Sequence, residues 1–224
     1  MIDGPSIEQQ ELYRAAFVHN CLLLIVRARG TMDGLDLHTE EEPAITGLLV
    51  KHAKEVLERD DEEPGFEHLD VLDDPPQNDD PSRRGKSRPR IDIEFVRTGR
   101  GPRPRFHLEA KRLYRSGSAG EYFGSGGLGM FLTGSYAPEW PSAGMPGYVQ
   151  SENCESWGLA LAKKLADHKA DYAVCSDRPE WQPVGWQNRQ LPAVMESWHQ
   201  RQPTTLGRLA IYHLLLDFCP CQAA

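Results

Sequence analysis

Acidic and basic side chains alternate with apolar ones in two short segments, Arg90-Ile91-Asp92-Ile93-Glu94-Phe95 and Phe106-His107-Leu108-Glu109-Ala110-Lys111-Arg112. Successive strand residues point to opposite faces. If both segments are strands, Ile91, Ile93, Phe95, Phe106, Leu108 and Ala110 define a core-facing side, and Asp92, Glu94, His107, Glu109 and Lys111 occupy the other. Ionised groups half removed from water need partners or a metal, so this cluster is where chemistry is expected. The segment between them, residues 97–104, is rich in Gly, Pro and Arg and suits a hairpin turn. Pairing symmetric about Arg100 and Gly101 sets Asp92 opposite Glu109. Neighbouring strands lie roughly 5 Å apart, a spacing at which two carboxylates can share one divalent ion. Mg²⁺ suits such a pair because it takes oxygen ligands and keeps several waters, with Mn²⁺ the expected substitute. Lys111 adds a mobile point charge where negative charge would develop.

The distribution of charge points to a phosphate-bearing partner. The formal net charge is -8, yet residues 83–115 carry twelve Lys or Arg against the three acids Asp92, Glu94 and Glu109. That local excess of nine positive charges leaves the rest of the chain at -17. A basic field around a few carboxylates meets the needs of a metal-dependent phosphodiesterase, with cations to hold phosphates and anions to hold the metal. Lys86, Arg90, Arg100, Arg103, Arg105, Arg112 and Arg115 are the residues expected to grip a nucleic-acid backbone.

Positioning these groups requires a scaffold, and 224 residues suffice for one domain with its own core. Ser6 and Gln9 form a capping-box pattern that opens a long helix running to Gly30. Thr39 with Glu42, followed by Pro43, starts a second helix that ends near Arg59, with Glu41 and Glu42 at its front edge. Residues 60–82 are dense in Asp, Glu and Pro and are expected to form an exposed acidic loop, with a strand at residues 66–72. Beyond the charged hairpin the pattern predicts a short helix at 128–132, a strand at 147–150, a helix from 151 or 152 to 167, and strands at 172–175 and 209–218. The last of these reads equally as a buried helix. Strands and helices mix throughout without a repeat or linker, which predicts a single α/β domain over residues 1–224, a central mixed β-sheet flanked by helices. Five scattered cysteines argue against a disulfide framework and for a reducing, cytoplasmic location. The longest apolar run, residues 21–26, is too short to span a bilayer.

An acid, then acid-x-Lys on the next strand, behind a helix with acids at its start, resembles the PD-(D/E)XK nuclease superfamily. The residues that carry the resemblance are Asp92, Glu109, Lys111, and Glu41 or Glu42, over about residues 39–167. Ile91 stands where the motif has Pro. The resemblance implies a restriction-endonuclease-like fold and a nuclease, a hydrolase of DNA ahead of RNA with a place in bacterial defence. It implies Asp92 and Glu109 as Mg²⁺ ligands, Lys111 as the group that orients the attacking water, and Glu41 or Glu42 as an auxiliary acid. Gln150, the last residue of the strand at 147–150, is placed near the site by the resemblance, as polar residues after the acid-x-Lys strand are in some of these nucleases. Few base-reading elements are evident, so sequence specificity is expected from a protein partner. The competing reading is a catalytically silent module of the same fold that docks nucleic acid or an acidic protein. Divalent-metal dependence separates the two.

Other motifs are weaker. Gly124-Ser125-Gly126-Gly127-Leu128-Gly129 fits G-x-G-x-x-G, but no strand runs into it. Gly85-Lys86-Ser87 has the end of a Walker motif, but Asp80 stands where its first Gly belongs. Cys219-Pro220-Cys221 lacks a second pair at zinc spacing. A second acid-x-Lys, Asp167-His168-Lys169, falls at a helix end and lacks a hairpin partner.

Overall fold

The first helix, α1 (Ile7–Gly30), starts where the capping box places it: Gln9 N–H donates to Ser6 Oγ at 3.2 Å and Ser6 N–H donates to Gln9 Oε1 at 2.8 Å. The structure, a computed structural model, describes residues 6–59, 64–77, 88–99, 103–186, 190–201 and 207–220. Lys86, Arg100 and residues 60–63 and 78–82 of the expected acidic loop lie outside the described residues; the rest of that stretch is not all exposed loop, since residues 69–73 form a strand in which Leu69 and Val71 are buried. Helix α2 (Glu42–Arg59) begins three residues after Thr39, the expected cap; Ala44 and Ile45 N–H instead donate to the Glu41 carbonyl. Glu42 is therefore the first helical residue, at the positive end of the helix dipole.

The described strands are β1 (Leu69–Asp73), β2 (Ile93–Arg97), β3 (Arg105–Leu108), β4 (Lys111–Leu113), β5 (Ser142–Val149), β6 (Gln182–Pro183), β7 (Val194–Gln200) and β8 (Arg208–Asp217). They form one open mixed sheet in the order β1-β2-β3-β5-β8-β7-β6, with β4 also on β5. The outer pairs are antiparallel, while β3, β4 and β8 run parallel to β5. The remaining helices are α3 (Ser118–Phe123), α4 (Leu128–Leu132) and α5 (Cys154–Asp167). Two apolar clusters flank the sheet. One joins α1 and α2 to Ile93, Phe95, Phe106, Leu108 and Ala110; the other joins α3, α4 and α5 to Ile91, Leu113, Val149 and Ile211. The fold is thus mixed α/β with helices on both faces of a central mixed sheet. No helix among the described residues is long and apolar enough to cross a membrane.

The hairpin pairs Ile93 with Leu108, Glu94 with His107 and Phe95 with Phe106. This is the register expected from symmetry about Arg100 and Gly101, and its continuation sets Asp92 against Glu109. Ile91 differs from expectation. It belongs to the second cluster while Ile93 belongs to the first, because the chain bends at Asp92 and breaks the strict alternation. Two other expectations also shift. Residues 172–175 contribute only a bridge between Val174 and His199, and the strand at 147–150 is the end of the longer β5. Strand β5 contains Gly144, Pro146 and Gly147, a composition that reads as turn. The glycines are there for space: a Cβ at Gly144 would lie 2.3 Å from Leu108 Cδ2, and one at Gly147 2.6 Å from Leu113 Cδ1.

Behind β7 and β8 a polar chain is sealed in the core. Ser197 Oγ bonds His199 Nε2 at 2.7 Å and His213 Nε2 at 2.8 Å, His213 Nδ1 meets Tyr122 Oη at 2.9 Å, and His199 Nδ1 donates to the Tyr172 carbonyl at 2.7 Å. Burial disfavours the imidazolium, holding His213 well below its ordinary value and His199 down at about 4. The unfolded chain takes up these protons near pH 6.5, so stability is fully present above about 6.5 and is lost as pH falls towards 4. Chemical unfolding between pH 7 and pH 4.5 is expected to show this loss, roughly 3 kcal/mol at most from His199. The His199→Asn variant is expected to flatten the slope, and an equally steep slope in that variant would contradict the assignment.

Candidate active site

Lys111 is the centre of the site. Its Nζ lies 2.9 Å from Glu109 Oε1, 3.0 Å from Glu42 Oε1 and 2.6 Å from the Ala110 carbonyl. The ammonium thus ties the charged hairpin to the start of α2. Asp92 joins from the neighbouring strand, its Oδ2 accepting the Ala110 N–H at 2.7 Å. Ala110 therefore gives its N–H to Asp92 and its carbonyl to Lys111. These side chains take the place of a strand ladder at Glu109 and Ala110, where β3 and β4 are interrupted. On the other side Glu109 N–H donates to the Gly144 carbonyl at 3.1 Å, which fixes the residue against β5.

The two glutamates at the front of α2 separate in role. Glu42 reaches Lys111, whereas Glu41 Oε2 pairs with Arg112 Nη2 at 2.9 Å and points its exposed carboxylate away from the cluster. Gln150 stands behind them. Its Nε2 donates to the carbonyls of Leu37 at 2.7 Å and Glu40 at 2.9 Å, holding the loop that delivers Glu41 and Glu42. Sequence reasoning missed Tyr136, whose hydroxyl donates at 2.6 Å to the Arg90 carbonyl two residues before Asp92. No spacing rule links residues 46 positions apart in the chain, so no sequence signal was present to find it.

Burial sets the electrostatics. Glu109 is 5 % exposed and Asp92 is half-buried. Desolvation raises Asp92 to about 6 against the pull of Lys111, and desolvation together with the Asp92 charge raises Glu109 to about 8. Burial alone would lower Lys111, but Glu109 and Glu42 outweigh it and shift it upward. Glu109 Oε2 is buried with no hydrogen-bond partner, as is Gln150 Oε1. An acceptor left unsatisfied at a carboxylate pair is open to a cation or a donor. Among the described residues no group of three or more His, Cys, Asp or Glu side chains is arranged to hold a metal ion.

The expected basic field is mostly paired. Arg90 Nε lies 2.6 Å from Asp74 Oδ2, Arg105 bonds Glu94, Arg112 bonds Glu41 and stacks at 4.4 Å over the Tyr114 ring, and Arg115 bonds Glu121. Arg103 is exposed. The counter-charges come from segments outside residues 83–115, apart from Glu94, and so escape a local count of charge. Glu94 and His107 form a group of their own with Arg105, His107 Nε2 lying 3.6 Å from Glu94 Oε1. Comparison with protein-family models, with curated proteins and with solved structures returns no match in any of the three.

Raising Glu109 above its unfolded value means that the folded protein holds a proton there which the unfolded chain has already lost. Stability from this group therefore falls as pH rises from about 4.5 to about 8. Glu109→Gln keeps an acceptor for Lys111 and removes that loss. Thermal unfolding is expected to find it more stable than wild type by about 1–3 kcal/mol at pH 8 and indistinguishable at pH 4.5. A loss of stability at pH 8 would show that the carboxylate is held favourably.

Proposed function

We propose that this protein is a divalent-metal-dependent nuclease of the restriction-endonuclease-like, PD-(D/E)XK type that hydrolyses DNA phosphodiester bonds. The observation that carries this reading is the convergence of Asp92, Glu109, Lys111 and Glu42, drawn from two adjacent strands and the first residue of α2. In this reading Asp92 and Glu109 hold Mg²⁺, or Mn²⁺ in its place, and Glu42 is the auxiliary acid. The donor set fits: all three groups offer oxygen, Glu109 Oε2 has no other partner, and Mg²⁺ needs only one or two protein carboxylates when phosphate and water complete its shell. The bound ion polarises the phosphodiester and makes a coordinated water more acidic.

The chain's own residues do the rest. Lys111 is anchored by Glu42 and Glu109, so its ammonium is already oriented beside the place where charge builds on the phosphate. Its Ala110 carbonyl contact keeps the stem against the strand. Arg90, Arg103, Arg105, Arg112 and Arg115, with Lys86 and Arg100, bind the backbone. Ion pairs as exposed as Arg90–Asp74 and Arg115–Glu121 contribute little in water, so a phosphate can take the place of the carboxylate. A protein partner would supply sequence specificity.

Cleavage of supercoiled and linear DNA, with RNA in parallel, tests the reading in Mg²⁺, in Mn²⁺ and in EDTA. Metal-dependent cleavage is expected, abolished by EDTA and reduced at least about a hundredfold in Lys111→Ala and Asp92→Asn. If wild type is inert with every metal yet retards DNA in a gel, the protein is instead a docking module of the same fold. The Lys111–Glu42 and Lys111–Glu109 pairs would then be purely structural.

A further inference from the structure

The same strands that carry Asp92 and Glu109 lead into a second polar cavity. It encloses about 240 Å³ and is lined in part by Gln77, Glu94, Arg105, His107, Glu139 and Trp140. Glu94 lies two residues along β2 from Asp92, and His107 two residues along β3 from Glu109, about 7 Å in each case. Glu94 and His107 alternate with Ile93, Phe95, Phe106 and Leu108 of the first cluster, so they face the layer in which Trp140 packs. The volume is below the roughly 300–1,000 Å³ of a drug-sized pocket and leaves room for one flat ring system.

The walls are built at some cost. Glu94 and His107 are each 2 % exposed, and His107 Nδ1 has no hydrogen-bond partner. The loop that brings in Glu139 and Trp140 is held by Arg201, itself 3 % exposed, which donates to the carbonyls of Ala137 at 2.7 Å, Pro138 at 3.0 Å and Trp140 at 2.8 Å. Ala137 in that loop has a φ of 47°, a conformation that non-glycine residues rarely adopt. A buried guanidinium and a strained residue fix one tryptophan beside one buried carboxylate. Strain of this kind persists where the surroundings impose it, and it gathers at ligand sites.

We infer that this cavity is a base pocket that takes guanine from the strand lying across the Asp92–Glu109 site. The inference rests on the nuclease reading for the presence of that strand. Glu94 brings a carboxylate to the cavity wall, its Oε1 shared with Arg105, and guanine is the base whose pairing edge presents two adjacent N–H donors, N1–H and the 2-amino group. Arg105, already bonded to Glu94, is placed to donate to O6. Trp140 supplies a face for stacking. Adenine presents an acceptor at N1, which would meet the Glu94 carboxylate and leave it unpaired, so it is rejected. Glu139 is exposed at the rim and stays in water.

Binding of dGMP and dAMP, measured by calorimetry on the wild-type protein without added metal, tests the pocket apart from cleavage. dGMP is expected to bind, with dAMP at least about tenfold weaker. Glu94→Gln is expected to weaken dGMP about ten- to a hundredfold, the worth of hydrogen bonds to a charged group. Trp140→Leu, at a half-exposed position that leaves Arg105 its partner, is expected to weaken it about five- to a hundredfold, the worth of one stacked base. No binding at millimolar dGMP, equal binding of dGMP and dAMP, or unchanged binding in a folded Trp140→Leu protein would overturn the inference and leave the cleavage result standing. Absence of metal-dependent cleavage by the wild-type protein, with dGMP binding intact, would instead overturn the nuclease reading alone.

Discussion

An ammonium group held between two carboxylates from different layers is the contact on which the geometry of this protein turns. Lys111 reaches Glu109 on its own strand segment and Glu42 on α2, with its side chain 15 % exposed. In such a place an unpaired charge is strongly unfavourable, so the sheet and the helix have to meet at this spot for the lysine to be satisfied at all. The interruption between β3 and β4 follows from the same contact, since the backbone of Ala110 serves Lys111 and Asp92 in place of the ladder. The bend at Asp92 and the transfer of Ile91 to the other apolar cluster are the matching distortion on β2.

Much of this was legible in the sequence where local rules govern. The capping box at Ser6 and Gln9, the hairpin register, and the alternation that separates Ile93 and Phe95 from Glu94 are all short-range patterns, and the structure agrees with them. What escaped depends on distant partners. The first part of β5, residues 142–146, escaped because Gly144 is placed for the sake of Leu108, a distant neighbour that the local pattern does not reveal. The ambiguity over residues 209–218 had the same origin: a continuous apolar run suits any doubly buried element, and β8 is buried between β5 and β7. Glu41 and Glu42 find different partners, Arg112 and Lys111, because α2 begins between them, a matter of one residue.

Charge shows the limit of local counting most clearly. Residues 83–115 carry a large positive excess, yet Asp74, Glu41 and Glu121 arrive from elsewhere to answer Arg90, Arg112 and Arg115. A surface with such pairs presents a weaker standing field than the sequence implies.

The Gln150 amide has a consequence in time as well as in space. Its hydrogen bonds to Leu37 and Glu40 close loops of 113 and 110 residues. The parallel partners of β5 are likewise distant in the chain, with Ser142 beside Ala210. Contacts of this separation form slowly, after the local helices and the hairpin, because the entropy of closing the loop is lost before the contact is gained. A nascent chain that has not yet reached residue 150 already contains Glu42, Asp92, Glu109 and Lys111, but the loop ahead of α2 lacks the side chain that clamps it. These charged groups are therefore made early and brought into register late, when the sheet is complete.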